Sequence, residues 1–267
     1  MVFPSNILIL FIVCAVLCAI GFYKFVWFLS VGYGFAIAGA GITLIFLYQK
    51  TIPIAVILQC LLLVVYGIRL GGFLLMRELK STAYRQTVYK ETGVDKKIPL
   101  FVSIVIWISV TVLYVAEVSP IFYRLVNYKS ADLSTYIGIV IMILAIMIET
   151  IADAQKSKAK QKAPNRFCDS GLYKIVRCPN YFGELLFWTG VFVSGFTAYN
   201  TAMQWIIPVL GYLSIIYVML SGAKRLEGRQ NKHYNSDSAY VAYRTSTPLL
   251  LPLIPLYSLS KCNWIKI

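Results

Sequence analysis

Seven apolar stretches, each close to the length that crosses a bilayer, constrain this chain more than any other feature. A spanning helix needs roughly 20 mainly apolar residues. Runs of that kind occupy about 5–23, 25–48, 52–76, 98–122, 133–152, 181–199 and 202–221. Hydrophobic residues make up 59% of the chain and mean hydropathy is +0.72, values outside the range of ordinary soluble domains. The expected fold class is all-α: a polytopic membrane protein with seven transmembrane helices in a single integral membrane domain, 1–267. The first run resembles a signal peptide in length, but Met1 to Asn6 holds no basic residue and no small-residue cleavage site follows, so it is expected to be a retained helix. One further apolar run, Pro248 to Leu259, contains Pro248, Pro252 and Pro255. It is too short and too broken to span, and is expected either to lie at the interface or to pack on the bundle.

Charge sets an orientation. With seven spans, the loops 77–97, 153–180 and 222–247 share one side with Lys24 and the C-terminus. They carry Arg77, Lys80, Arg85, Lys90, Lys96 and Lys97, then the ladder Lys156, Lys158, Lys160 and Lys162 with Arg166, Lys174 and Arg177, and later Lys224, Arg225, Arg229, Lys232 and Arg244. The opposite side keeps Lys50, Arg124 and Lys129. The positive-inside rule then places the N-terminus outside and the C-terminus in the cytosol. The membrane would be that of the endoplasmic reticulum in a eukaryote or the inner membrane in a bacterium. The net charge of +14 is accounted for by orientation and by attraction to anionic lipid, so it does not call for nucleic acid as a partner. It would also draw a phosphorylated cytosolic ligand to the basic face.

Several chemistries lack their residues. One histidine, His233, is too few for a histidine-box di-iron site. The cysteines Cys14, Cys18, Cys60, Cys168, Cys178 and Cys262 are scattered and show no ligand spacing, so neither a metal nor a disulfide framework is expected. No phosphate-binding glycine loop is present. Gly32, Gly34, Gly39 and Gly41 read as close helix packing in lipid.

Charged groups inside apolar runs are costly and are functional candidates. Arg69 lies in Tyr66-Gly67-Ile68-Arg69, where a spacing of three puts the Tyr66 hydroxyl and the Arg69 guanidinium on one helix face. Such a pair offers a proton donor beside a fixed cation, or a structural hydrogen bond. Glu149 and Asp153 stand one turn apart near the cytosolic end of the fifth run. Glu117 sits toward the other side. Glu184 opens the sixth run, after Arg177-Cys178-Pro179-Asn180-Tyr181-Phe182-Gly183. Pro179 is suited to start a helix and Asn180 to cap it. The free backbone donors of that helix start suit a phosphate or an amide, and Glu184 complements its dipole. Tyr240, Tyr243, Arg244, Thr245 and Ser246 form a last polar cluster before Pro248.

Taken in order, four pieces resemble the steroid 5α-reductase superfamily, and most closely its membrane branch labelled as a domain of unknown function (DUF1295-like). They are Tyr66 to Leu70 with Arg77; Glu149 to Gln155; Gly171-Leu172-Tyr173 through Glu184; and Tyr240 to Ser246. The resemblance covers roughly 60–255, and the Pro-Asn-Tyr-Phe-Gly-Glu core is its most specific part. It implies two N-terminal helices (1–50) and a reductase-like core (51–260) with cytosolic cofactor-binding loops. It implies NADPH as cofactor and a hydrophobic lipid or steroid-like substrate, whose C=C bond conjugated to a carbonyl is reduced. Carried over by motif, Asp153, Asn180, Tyr181, Glu184 and Tyr243 contact the cofactor. Arg69, Arg166 and Arg177 serve its phosphates or close the pocket. Tyr66 donates to the substrate carbonyl, biased by Arg69. The chain departs from the pattern twice: the second run holds no acidic residue, and Cys178 stands where the family usually has histidine. An Arg-x-Pro-x-Tyr-x-Gly signature also occurs in S-adenosylmethionine-dependent membrane methyltransferases of the isoprenylcysteine and phospholipid type. They typically keep that histidine and carry an acidic C-terminal loop. A non-catalytic lipid-binding protein is the third expectation.

Overall fold

Apolar runs of this length bury their backbone polar groups most readily as helices, because lipid offers those groups no partner. The computed structural model describes residues 4–80 and 98–265, and every described element is helical. The basic residues Arg85, Lys90, Lys96 and Lys97 lie outside the described residues. The helices are α1 (Asn6–Cys18), α2 (Val31–Leu47), α3 (Ile54–Lys80), α4 (Leu100–Val126), α5 (Leu133–Lys162), α6 (Pro179–Ser194), α7 (Met203–Tyr234) and α8 (Ser238–Ser246), with short 3-10 turns at Ala19–Phe22, Phe25–Leu29 and Gly171–Lys174.

Each of the seven expected runs coincides with a helix. Four of them, α3, α4, α5 and α7, are long and apolar enough to cross a membrane. The protein is therefore an integral membrane protein by helix length and composition. The helices α1, α2 and α6 are shorter, at 13, 17 and 16 residues. Boundaries differ from the sequence expectation in a systematic way. The helices α3, α5 and α7 run past the apolar stretch, to Lys80, Lys162 and Tyr234. The residues beyond are rich in Lys, Gln, Arg and Ala, which favour helix as strongly as the apolar ones do. The second run starts late, at Val31, because Phe25–Leu29 winds as a 3-10 turn. Glu78 of α3 holds that turn: it accepts from Lys24 Nζ at 2.6 Å and from Trp27 Nε1 at 2.5 Å.

By packing, the chain forms two compact units: Met1–Ile139 with Val191–Gly211, and Val140–Gly190 with Tyr212–Ile267. In the first unit α2 and α3 cross backbone to backbone. A Cβ on Gly34 would lie 2.6 Å from the Gly71 nitrogen, and one on Gly67 would lie 2.3 Å from the Gly34 oxygen. Cys14 and Cys18 donate weakly to the carbonyls of Ala36 and Phe28, at 3.8 and 3.6 Å. The six cysteines are free thiols.

A polar clamp closes the far end of this unit. Arg124, 1% exposed, donates to Ser194 O at 2.8 Å, Ser130 O at 2.6 Å and Thr197 Oγ1 at 2.7 Å, and pairs with Asp132 at 3.3 Å. Burial alone would raise the Asp132 carboxyl. Hydrogen bonds from Thr197, Ser134 and the Thr135 backbone, with the Arg124 charge, hold it well below the usual carboxylate range instead.

In the second unit the segment 248–265 lies against α6 and α7. Leu249, Leu250, Leu259 and Ile265 of that segment form one buried core with Cys178 and Ala223.

Candidate functional site

The second unit gathers most of the motif residues on three elements. Glu149 and Asp153 stand one turn apart on α5, which places them on one face. Gly171 enters its 3-10 turn with φ +62 and leaves no room for a Cβ, which would meet the Gln155 side chain at 2.4 Å. Gln155 Oε1 then accepts from the Leu172 nitrogen at 2.9 Å. This fastening turns Tyr173 inward, 4% exposed, against Ala152 and Cys168.

From there a directional chain of hydrogen bonds runs to α5. The Tyr243 hydroxyl donates to Tyr173 O at 2.7 Å. The Tyr173 hydroxyl donates to Asn180 Oδ1 at 2.8 Å. Asn180 Nδ2 donates to Asp153 Oδ1 in a short contact. Burial, reinforced by the neighbouring Cys168 and Asp153, pushes the Tyr173 hydroxyl well above its usual value. Burial does the same to Tyr243, against the pull of Arg177. Both phenols therefore stay protonated and act as donors, and this polarity fixes which way the Asn180 amide points. The Phe167 ring stacks on Tyr243 at 5.3 Å with 23° between planes, which holds the phenol in place.

Asn180 does not cap α6 as the sequence led one to expect. Pro179, whose φ is preset for a helix, is the first helical residue, so Asn180 is the second and its amide is turned sideways to Asp153 and Tyr173. Gly183 lets α5 approach: a Cβ there would meet Glu149 Cγ at 2.4 Å. Glu149 and Glu184 are 2% and 7% exposed. Tyr181 lies half-buried against Gly222, where a Cβ would be 3.4 Å from its ring.

The two loop arginines are placed differently from one another. Arg166 is exposed, pairs with Asp169 at 2.8 Å and covers the Phe167 ring at 5.5 Å. Arg177 is 1% exposed. Its Nη2 reaches Glu227 at 3.4 Å and makes a short bond to Tyr257 O. It thus ties the loop to the C-terminal segment, and Nε and Nη1 have no hydrogen-bond partner among the described residues. Cys178 points into the apolar core at 2% exposure.

Tyr66 and Arg69 belong to the first unit. Tyr66 is fully buried, and the hydroxyl found beside its own at 3.0 Å is that of Tyr33. Arg69 is half-buried one turn away. Glu117 is buried on α4, at 4% exposure.

Sequence reasoning missed Tyr33, Phe167, the contact of Gln155 with the Gly171 turn and the ties of Glu227. A faint signal existed for one of them: Gly171 at the head of the motif marks a backbone position that only glycine fills, and Gln155 is what crowds it. A cavity of about 240 Å³ lies beside the Arg124 clamp, lined by Thr51, Pro53, Arg124, Leu125, Tyr128, Lys129 and Ser130, and includes none of the motif residues. No group of three His, Cys, Asp or Glu side chains lies together among the described residues.

Chemically, the α5–α6–α8 cluster presents mixed polarity. The Asn180 carbonyl is taken by Tyr173 and one amide hydrogen by Asp153, which leaves the second amide hydrogen for a ligand acceptor. Carboxylates on the same two helices supply acceptors. A donor beside acceptors is the complement of a primary carboxamide. A family model described as "Protein of unknown function (DUF1295)" matches residues 11–247. No curated protein and no solved structure matches the chain.

Proposed function

The chain belongs to the DUF1295 family, and we propose that it is an NADPH-dependent membrane reductase acting on a C=C bond conjugated to a carbonyl in a lipid or steroid-like molecule. The observation that carries this reading is the oriented Asn180 amide between Tyr173 and Asp153, with Glu184 on the next turn. The residues present fit the carboxamide of a nicotinamide: Asn180 gives a donor, and Asp153 and Glu184 give acceptors. Tyr243 holds the chain of donors in register through Tyr173 O. When bound, the cofactor supplies the hydride, and the protein supplies position and field.

The remaining step is a proton and a place for negative charge. Reduction of an enone builds charge on the carbonyl oxygen, and a donor aimed at that oxygen stabilises it. Tyr66 is assigned this role. The Tyr33 and Tyr66 hydroxyls lie 3.0 Å apart, and a Tyr33 hydroxyl that donates to the Tyr66 oxygen orients that phenol. Arg69 adds a fixed positive charge one turn away. Surroundings poor in water strengthen each of these effects.

The test is thermal stabilisation of the purified protein by NADPH, NADH and S-adenosylmethionine side by side. A ligand that binds only the native state at 100 times its Kd adds about 2.7 kcal/mol. Stabilisation by NADPH in the wild type and its loss in Asn180→Ala and Glu184→Gln is the expected result. Stabilisation by S-adenosylmethionine alone would replace the reductase with a methyltransferase.

A further inference from the structure

The C-terminal segment has two apolar sides, and the protein covers one of them. Its inner side, Leu249, Leu250, Leu259 and Ile265, is buried in the core with Cys178 and Ala223. Its outer side carries Leu253, fully exposed, with Ile254 at 50%, Tyr257 at 40% and Trp264 at 64%. The outward throw of Leu253 is built in. Leu249 N bonds Leu256 O at 2.8 Å, closing a loop in which Leu253 takes φ +65. A leucine in the left-handed region is unfavourable, and a fully exposed leucine gains nothing in water to offset that.

The height of the segment says what covers this side. It packs on α7 at Leu220 and Ala223. From Met203 to Ala223 the helix carries no charge, and Lys224 is the first. Lys224 Nζ donates to Cys262 O at 3.0 Å and to Ile265 O at 2.9 Å. The segment is thus hung at the level where α7 leaves its apolar stretch. Tyr and Trp beside exposed aliphatic side chains at that level are the composition of a lipid–water boundary.

The inner side is tied to the motif loop by backbone and charge. Arg177 N donates to Pro248 O and Cys178 N to Leu249 O, both at 2.9 Å. Arg177 Nη2 bonds Tyr257 O, and Glu227, its ion-pair partner, accepts from Leu259 N at 2.9 Å. These bonds end two residues before Asn180.

We propose that residues 248–265 form a strap whose tip, Leu253 and Ile254, is seated in the lipid boundary and whose inner side holds the segment 177–180 in position. Lipid is then a partner of the site, and the strap's seating is a condition of its geometry; the consequence for cofactor affinity rests on the function proposed above.

The experiment uses the full chain in phosphatidylcholine nanodiscs. A nitroxide is placed at Leu253→Cys, and in a second protein at Ser258→Cys, both with Cys262→Ser, since the other five cysteines are buried. Collisions with oxygen are expected to dominate at 253 and collisions with a water-soluble nickel chelate at 258. Equal chelate access at both positions, or shielding of 253 from both agents by another protein surface, overturns the lipid seat. Coupling is read separately in the double variant Leu253→Asp, Ile254→Asp. Cys178 is buried, and burial pushes its thiol up to about 12, so the wild type resists N-ethylmaleimide there. At least tenfold faster alkylation of Cys178 is expected in the variant, together with a several-fold weaker Kd for NADPH. Unchanged Cys178 protection overturns the holding role. A wild type that ignores NADPH would sink the proposed cofactor, while the nitroxide and alkylation results would still decide the strap.

Discussion

Replacing Gly67 with alanine should break the tightest crossing in the first unit, while the same change five residues on should not. A Cβ at Gly67 lands 2.3 Å from Gly34 O, 2.7 Å from Ala38 N and 3.0 Å from Ala38 Cβ. The first two are backbone atoms and cannot rotate away. Reaching ordinary van der Waals contact requires α2 and α3 to separate by about 1 Å, and a gap of that size forfeits roughly a quarter to a half of each contact along the crossing. Overpacking of this kind costs about 1–3 kcal/mol, and immovable backbone favours the upper end. Gly72 is the internal control, since a Cβ there meets nothing within 4 Å. Gly72→Ala should be neutral or stabilising by up to about 1 kcal/mol from helix propensity alone. The two variants should therefore differ by about 3 kcal/mol, a gap in Tm on the order of 5–10 °C. Differential scanning of both proteins in one detergent measures it. Equal Tm values would show that the crossing tolerates a methyl group and that backbone contact does not hold these helices.

Three further outcomes follow from other parts of the molecule. Tyr66→Phe should leave NADPH affinity unchanged and slow turnover by at least about tenfold, within the range of general acid catalysis; unchanged single-turnover rates would place the donor elsewhere. Glu227→Ala leaves Arg177 buried without its ion-pair partner and removes the acceptor of Leu259 N, so about 3–5 kcal/mol should be lost, and trypsin should cut at the exposed Lys261 sooner than in wild type. Asp132 has a depressed folded-state pKa, so its contribution is fully present above the ordinary carboxylate value of about 4 and is lost as pH falls toward the folded value. The stability gap between wild type and Asp132→Asn should be constant from pH 7 to 5 and shrink below about pH 4, and a gap that widens there would reverse the sign of the argument.

The sequence by itself determined that this chain is helical and belongs in a membrane. Apolar length is a local quantity, and a long apolar helix such as α3, α4, α5 or α7 needs only its own residues to satisfy its backbone in lipid. It also determined where the polar cluster would gather, because Glu149 and Asp153 share a face by helical period alone and Pro179 starts α6 by its own ring geometry. What tertiary structure decided was partnership. Glu78 takes Lys24 and Trp27 from over fifty residues away and turns the start of the second run into a 3-10 turn. Tyr66 meets Tyr33 of α2. Asn180 is drawn off its cap by Asp153 and Tyr173. Arg177 meets Glu227 and the carbonyl of Tyr257 through Nη2. A side chain's partner depends on which distant segment the packing brings beside it, and no periodicity along the chain encodes that distance.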